Sequence, residues 1–152
     1  MKQPTLPYAE LTLEQALAQF RADSGLTHKY DAMSAEAQAH FERHDIIHVL
    51  FGLSTSLREE AQADGWTLVA SDIGFNDIRQ FMRLPEEKDV LAEVGFLALL
   101  KGFFASIPDY AKIAWRSRKM SKKWRWSDNA EYRQCKVAAI REEFGIAAAL
   151  AT

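Results

Sequence analysis

Apolar side chains recur at helical spacing near the start of the chain. Leu13, Leu17 and Phe20 fall on one face if the segment is helical. Thr12 precedes them, and Thr12 with Gln15 has the pattern of a capping box, in which each residue bonds the backbone of the other. These positions predict a helix that begins at Leu13.

A second helix is predicted from residue 34 to residue 51, where most residues are good helix formers. Ser34 is the candidate N-cap, and the charge of Glu36 suits the positive end of the helix dipole. Ala37 stands where a capping box would need a glutamate or glutamine, so no full box forms here. Gly52 is expected to end the helix.

A third helix is predicted directly after this glycine. The Ser54-Thr55-Ser56 run offers three N-caps, and Gly65 is expected to close the helix over residues 57–64. Residues 66–70 have the composition of a short strand but no visible partner strand, so we interpret them as loop or helix. The two helices would therefore form a hairpin with a short connection.

The second half of the chain continues the helical pattern. Residues 72–84 predict a helix that Pro85 stops, and residues 86–106 predict a helix that is apolar nearly all round. A central core helix is the first interpretation of 86–106, and the alternatives are the wall of an apolar ligand pocket or a membrane-surface contact. Pro108 restarts a helix to residue 120, and a last helix spans 127 or 128 to 144.

Together these elements predict an all-α fold. We expect a single-domain bundle of six to seven helices over residues 11–146, after an irregular arm at 1–10 and before a tail at 147–152. The composition fits one soluble domain, because 48% of the 152 residues are hydrophobic and 26% are charged.

Charge and cysteine content narrow the class of protein. A net charge of −2 gives no electrostatic attraction to nucleic acid. The single cysteine, Cys135, excludes an internal disulfide, favours a reducing compartment and is interpreted as a packing residue. No secretory pattern is visible at the start of the chain, so cytoplasm is the default location.

A segment around residues 115–126 mixes basic residues with tryptophan. Trp115, Trp124 and Trp126 are interleaved with six lysines and arginines. A solvated surface is the first interpretation, and contact with an anionic membrane or stacking on single-stranded bases are the alternatives.

The predicted helix at 34–51 carries a group of candidate metal ligands. His44 and His48 are one turn apart, about 40° around the helix, and Asp45 lies about 100° from His44. Glu60 would join them only if the chain folds back at Gly52. Two histidines and a carboxylate recur as ligands of zinc and of non-haem iron, so the sequence predicts a divalent-metal site.

Other assignments of these residues remain open. His40 precedes His44 by four residues, the same spacing as His44 and His48, so any two of the three histidines could form the metal-binding pair. The His44-Asp45 step is also typical of HD phosphohydrolases, for which Asp72 or Asp77 would have to supply the distant aspartate. The zincin pattern is not met, because Asp45 stands in place of its glutamate.

The motif resembles the signature of the fourth Coq protein family of ubiquinone (coenzyme Q) biosynthesis. It runs His44-Asp45-x-x-His48, then eleven residues, then Glu60. Val49 and Gly52 extend the match, as do the Ala-Trp-Arg at 114–116 and the closing run at 140–146. The resemblance covers about residues 36–146.

The resemblance implies a function as well as a fold. It implies a divalent metal on His44, Asp45, His48 and Glu60, with zinc expected first and iron or magnesium as alternatives. An apolar groove would hold a prenylated quinone precursor or another isoprenoid lipid. The expected activity is oxidative removal of the ring C1 carboxylate of a prenylated hydroxybenzoate, with Asp45 or Glu60 handling protons.

The resemblance also implies partners. We expect a homo-oligomer, contact with other quinone-biosynthesis enzymes, and peripheral association with the inner face of the membrane. A non-enzymatic lipid-binding scaffold for those enzymes is the first alternative function. An HD-like metal-dependent phosphohydrolase is the second.

Overall fold

The computed structural model describes residues 6–83 and 95–151. These residues form an all-α fold, as predicted, with a short 3-10 helix at Ala130–Tyr132 and no β-strand within the described ranges. The described part contains eight α-helices, Leu13–Asp23 (α1), Thr27–Asp31 (α2), Ala35–Phe51 (α3), Leu57–Ala70 (α4), Phe75–Phe81 (α5), Phe96–Ser117 (α6), Val137–Glu143 (α7) and Ile146–Leu150 (α8).

Local capping sets the starts of α1 and α3 as the sequence predicts. The box at α1 is complete, since the Gln15 amide donates to Thr12 Oγ1 at 3.3 Å and the Thr12 amide donates to Gln15 Oε1 at 3.1 Å. At α3 the hydroxyl of Ser34 accepts from the Ala37 amide at 3.2 Å, without a returning side chain. Both helices begin where an oxygen satisfies an otherwise unpaired amide.

The connection between α3 and α4 is the tight break that the sequence predicts. Gly52 ends α3 with a φ of 68°, a left-handed conformation that suits glycine, and the Leu53 amide donates to the carbonyl of His48 at 2.9 Å. Ser56 is the N-cap of α4, with its hydroxyl accepting from the Glu59 amide. The hairpin therefore turns within five residues.

A substitution at Gly52 should weaken the fold. We expect Gly52→Ala to lower the free energy of unfolding by about 2 kcal/mol, because alanine at this positive φ costs about 1 kcal/mol or more. The new Cβ would also lie 3.3 Å from Leu6 and Pro7. Gly25→Ala is a matched control, since Gly25 has the same φ of 68° and a Cβ added there would meet nothing within 4 Å. Chemical denaturation should show the smaller loss for Gly25→Ala, and equal losses would contradict the role given to the Leu6 and Pro7 contact.

The prediction that Gly65 closes the third helix is wrong. Helix α4 continues to Ala70, which also makes residues 66–70 helical. A Cβ on Gly65 would lie 2.9 Å from Tyr110 Cδ1 and 3.2 Å from Ile113 Cδ1. This glycine lets α6 approach α4 closely, and that function depends on residues 45 or more positions away in the sequence.

Helix α6 differs from its prediction in its bounds. It continues through Pro108 to Ser117, where the sequence predicts a new start at the proline. Asp109 ties this part of α6 to α4, because its carboxylate accepts from Arg58 at 2.9 and 3.0 Å and from Gln62 at 3.2 Å. The preceding predicted stretch, residues 84–94 with Pro85, lies outside the described residues.

The exposure of individual side chains on α6 tests the interpretation of this helix as a central core helix. Phe104 is 60% exposed and Ile107 is 47% exposed, so the interpretation as a central core helix is wrong at these two positions. Ala98 and Ala105 instead line a cavity, as the pocket-wall alternative requires. Within the described residues, none of the helices combines the length and apolarity that crossing a membrane demands.

The tryptophan-rich segment divides between core and surface. Trp124 and Trp126 are 0% and 1% exposed and belong to the hydrophobic core, whereas Trp115 is 65% exposed. The backbone amide of Trp126 donates to Asp72 Oδ1 at 2.7 Å, which holds the segment against the end of α4. Trp124 and Trp126 are therefore unable to stack on bases or enter a membrane from this position.

The last predicted helix is divided. Residues 130–132 form the 3-10 helix, and α7 begins only at Val137, whose amide donates to the carbonyl of Leu11 at 2.9 Å. Residues 133–138 instead pair with residues 9–14 through backbone hydrogen bonds, such as that from the Leu13 amide to the Cys135 carbonyl at 2.9 Å. Gly145 follows α7 with a φ of 71°, and the predicted tail then contains α8. Cys135 is a free thiol packed on the core, consistent with its interpretation as a packing residue.

Candidate metal centre

The two histidines of the motif lie on the buried side of α3. His48 is 1% exposed, and its ring stacks on Phe20 of α1 with centroids 5.3 Å apart. The ring of His44 meets it edge to face at 4.8 Å. Neither ring nitrogen of His48 makes a well-aligned hydrogen bond, although Nε2 lies 3.3 Å from Glu60 Oε2. A buried imidazole without a hydrogen-bond partner is unusual and is consistent with a role in binding a ligand.

Glu60 reaches both histidines from the first turn of α4. Its Oε2 lies 3.3 Å from Nε2 of His48 and 4.0 Å from Nε2 of His44. One ligand atom from each of the three residues lies within 4.8 Å of the others, so the group could hold a metal ion. Ligand atoms about 2.0 Å from a tetrahedral cation lie about 3.3 Å apart. The fold at Gly52 therefore brings Glu60 to the histidines, as predicted.

The histidines and carboxylates of this group shift one another's pKa values. Burial lowers the pKa of His44, but Asp64, Glu60 and Asp45 outweigh it, and the net pKa is raised. Burial raises the pKa of Glu60, but His48 and His44 outweigh it, and the net pKa is lowered. Glu60 is thus held as a carboxylate, the form that binds a cation.

Asp45 is paired with an arginine and is not part of this group. Its Oδ2 accepts from Arg21 Nε at 2.7 Å, and the guanidinium of Arg21 lies 3.7 Å from the ring centroid of Tyr30. Burial raises the pKa of Asp45, and Arg21 opposes the shift. The structure therefore groups three of the four predicted ligands and pairs the fourth with an arginine. Asp45 as a metal ligand or proton carrier stays a prediction.

His40 lies outside the group of three. It is 9% exposed and its ring meets Trp126 edge to face at 5.6 Å. Burial, His44 and Arg43 lower its pKa to about 4. The ambiguity among the three histidines is thus resolved in favour of His44 and His48.

The lowered pKa of His40 predicts a loss of stability in acid. The unfolded chain takes up this proton near pH 6.5, whereas the folded chain does so only near 4. Stability from this residue is therefore complete above pH 6.5 and falls as the pH drops toward 4, by about 3 kcal/mol. Denaturation of wild type and His40→Gln at pH 7 and pH 4.5 should show a smaller pH-dependent loss in the variant. Parallel pH profiles would contradict the assignment.

The structure adds two residues that sequence reasoning missed. Asp64 Oδ1 lies 3.4 Å from His44 Nε2, and Lys29 lines the cavity near Glu60, whose pKa it helps to lower. The signal for Asp64 was available, because it follows Glu60 by one helical turn. No sequence signal distinguishes Lys29 from other surface lysines.

The group of three opens into a large cavity. Its volume is about 1460 Å³, and His44, His48, Glu60 and Asp64 lie in its wall. Ligand pockets usually measure about 300–1,000 Å³, so this space would take a long ligand. Its apolar lining includes Phe20, Leu26, Met33, Phe41, Leu57 and Met82.

Comparison of the chain with protein-family models, with curated proteins and with solved structures gave no match. The class that the fold and the site define is an all-α protein with a candidate divalent-metal centre in the wall of a largely apolar cavity.

Proposed function

We propose that this protein is a divalent-metal-dependent enzyme that acts on the polar head of a long apolar substrate. The observation that carries the proposal is the opening of the His44, His48 and Glu60 group into the wall of an apolar cavity. A bound cation would act there as a Lewis acid toward a phenolate or carboxylate of the head group.

The charges of the cavity wall support an anionic head group. Arg58 forms an ion pair with Asp109, whereas Lys29 has no ion-pair partner within 4.0 Å among the described residues. Lys29 would therefore attract a substrate carboxylate toward the metal end. The apolar wall would hold the tail and exclude water from the head.

The substrate class follows from the resemblance to the fourth Coq protein family. We propose a prenylated hydroxybenzoate that loses its ring C1 carboxylate. The bond between C1 and the carboxylate breaks, carbon dioxide leaves, and a hydroxyl forms at C1. Dioxygen supplies that oxygen atom and its second atom leaves as water. An external donor provides two electrons, and three protons complete the balance, one for the new hydroxyl and two for the water. Zinc, iron and magnesium remain the candidate metals.

One assay tests the proposal. Purified protein loaded with zinc, iron or magnesium is given a prenylated 4-hydroxybenzoate with a 13C-labelled carboxylate, dioxygen and a reductant in detergent micelles. We expect labelled carbon dioxide and the hydroxylated product, and we expect Glu60→Gln to abolish both. Glu59→Gln is the matched control, because Glu59 neighbours Glu60 but bonds the Ser54 amide.

Other outcomes identify the alternatives. Lipid that copurifies with the protein and is never converted with any metal favours the lipid-binding scaffold. Hydrolysis of nucleotides or phosphate esters that Asp45→Ala abolishes favours the HD-like phosphohydrolase. The pairing of Asp45 with Arg21 does not separate this alternative from the proposal, because both assign Asp45 to the metal.

A further inference from the structure

Four side chains, two on each helix, face one another across the hairpin of α3 and α4. His44 and His48 are one turn apart on α3, and Glu60 and Asp64 are one turn apart on α4. The helices run in opposite directions, so His48 faces Glu60 at 3.3 Å and His44 faces Asp64 at 3.4 Å. The arrangement gives each histidine a carboxylate opposite it.

The position of Asp64 distinguishes a ligand from an orienting group. A carboxylate that orients a metal-bound histidine accepts from the ring nitrogen that does not bind the metal. Asp64 instead faces Nε2 of His44, the same nitrogen that faces Glu60 at 4.0 Å. If Nε2 binds the cation, Asp64 lies on the cation's side of the ring.

The ion pairs of the cavity wall also favour Asp64 as a ligand. Neither Glu60 nor Asp64 has a lysine or arginine within 4.0 Å among the described residues, whereas the two other carboxylates of the cavity wall are each paired with an arginine, Asp45 with Arg21 and Asp109 with Arg58. Two carboxylates that face imidazoles, rather than a lysine or arginine, suit a divalent cation. The buried ring of His48, whose nitrogens make no hydrogen bond although Nε2 lies 3.3 Å from Glu60, is a further sign that a ligand belongs at this position.

We propose that Asp64 is the fourth protein ligand of the metal centre, in the place that the sequence motif gives to Asp45. The proposal rests on the metal dependence proposed above and assigns a residue outside the motif. The side chain of Asp64 is 66% exposed, against 1% for His48. It lies on the solvent side of the centre and can close on the cation by side-chain rotation. Among the candidate metals, iron or magnesium would take six ligands and would therefore keep two positions for a substrate beside these four protein groups.

Cobalt binding tests this assignment, because the visible absorption of Co²⁺ reports its ligands. Apoprotein is titrated with Co²⁺, and Zn²⁺ affinity is measured by competition. We expect Asp64→Asn to weaken binding at least about 10-fold and to change the spectrum, while the melting temperature of the metal-free protein stays the same. Asp31→Asn is the matched control, because it removes the same charge from an exposed position on α2 and should behave as wild type.

The contrary results are distinct. Wild-type Co²⁺ binding with an unchanged affinity and spectrum in Asp64→Asn would overturn the assignment of Asp64 and leave the proposed function standing. A spectral change in folded Asp45→Asn, with none in Asp64→Asn, would return the fourth position to Asp45. Failure of the wild-type protein to bind Co²⁺ or Zn²⁺ would overturn the proposed function itself, and the role of Asp64 with it.

Discussion

Glu60→Gln should weaken binding of a divalent cation by about 100-fold or more. The substitution keeps the size of the side chain and removes the charge that faces both histidines at 3.3 and 4.0 Å. Loss of a group that only supports a ligand already costs about 10- to 100-fold, so loss of a ligand should cost at least as much. Calorimetric titration of apoprotein with Zn²⁺ would measure the change.

A second measurement separates loss of binding from loss of fold. A cation at 100 times its dissociation constant stabilises a folded protein by about 2.7 kcal/mol, so wild type should melt at a higher temperature with Zn²⁺ than without it. Glu60→Gln should lose most of that increase. Glu59→Gln carries the same charge change in the same first turn of α4, so any effect on the helix dipole is shared. An equal loss of affinity in both variants would contradict a ligand role for Glu60.

Much of this site follows from short-range rules that act within a few residues. The hydroxyl caps at Ser34 and Ser56 and the left-handed Gly52 are readable from sequence, because each bonds backbone within five positions. Together they specify a hairpin, and the hairpin brings Glu60 to His48. The all-α fold and the core of the site were therefore predictable without any distant contact.

The remaining features depend on contacts between distant parts of the chain. Asp45 bonds Arg21 from a helix 24 positions earlier, and nothing local distinguishes that pairing from metal binding. Gly65 has the sequence context of a helix end, but α4 continues past it to Ala70 and the glycine leaves room for Tyr110 of α6. Among these residues, only the position of Asp64 could have been predicted. The two helices run in opposite directions, so once His48 is paired with Glu60, Asp64 must lie across from His44.

Arg141→Met should lower the free energy of unfolding by about 3 kcal/mol. Arg141 is 2% exposed, and it donates to the carbonyls of Leu50 at 2.8 Å and Val49 at 2.7 Å in the last turn of α3. Methionine keeps the apolar stem but leaves both buried carbonyls without these donors, at about 1–3 kcal/mol each. Relief from burying a charge offsets part of this cost. Burial lowers the pKa of Arg141 only to about 10, so the cation is retained at neutral pH.

Two further variants give the Arg141 prediction its controls. Arg141→Lys keeps the charge at the negative end of the α3 dipole but provides a single donor group, so its stability should fall between wild type and Arg141→Met. Arg125→Met removes a cation that pairs with Asp128 and Glu131 on the surface, and it should change the denaturation midpoint far less. Because Val49 and Leu50 directly follow His48, loosening their turn should also weaken Zn²⁺ binding in Arg141→Met. If Arg141→Met is as stable as wild type and binds Zn²⁺ with unchanged affinity, the last turn of α3 does not depend on this arginine.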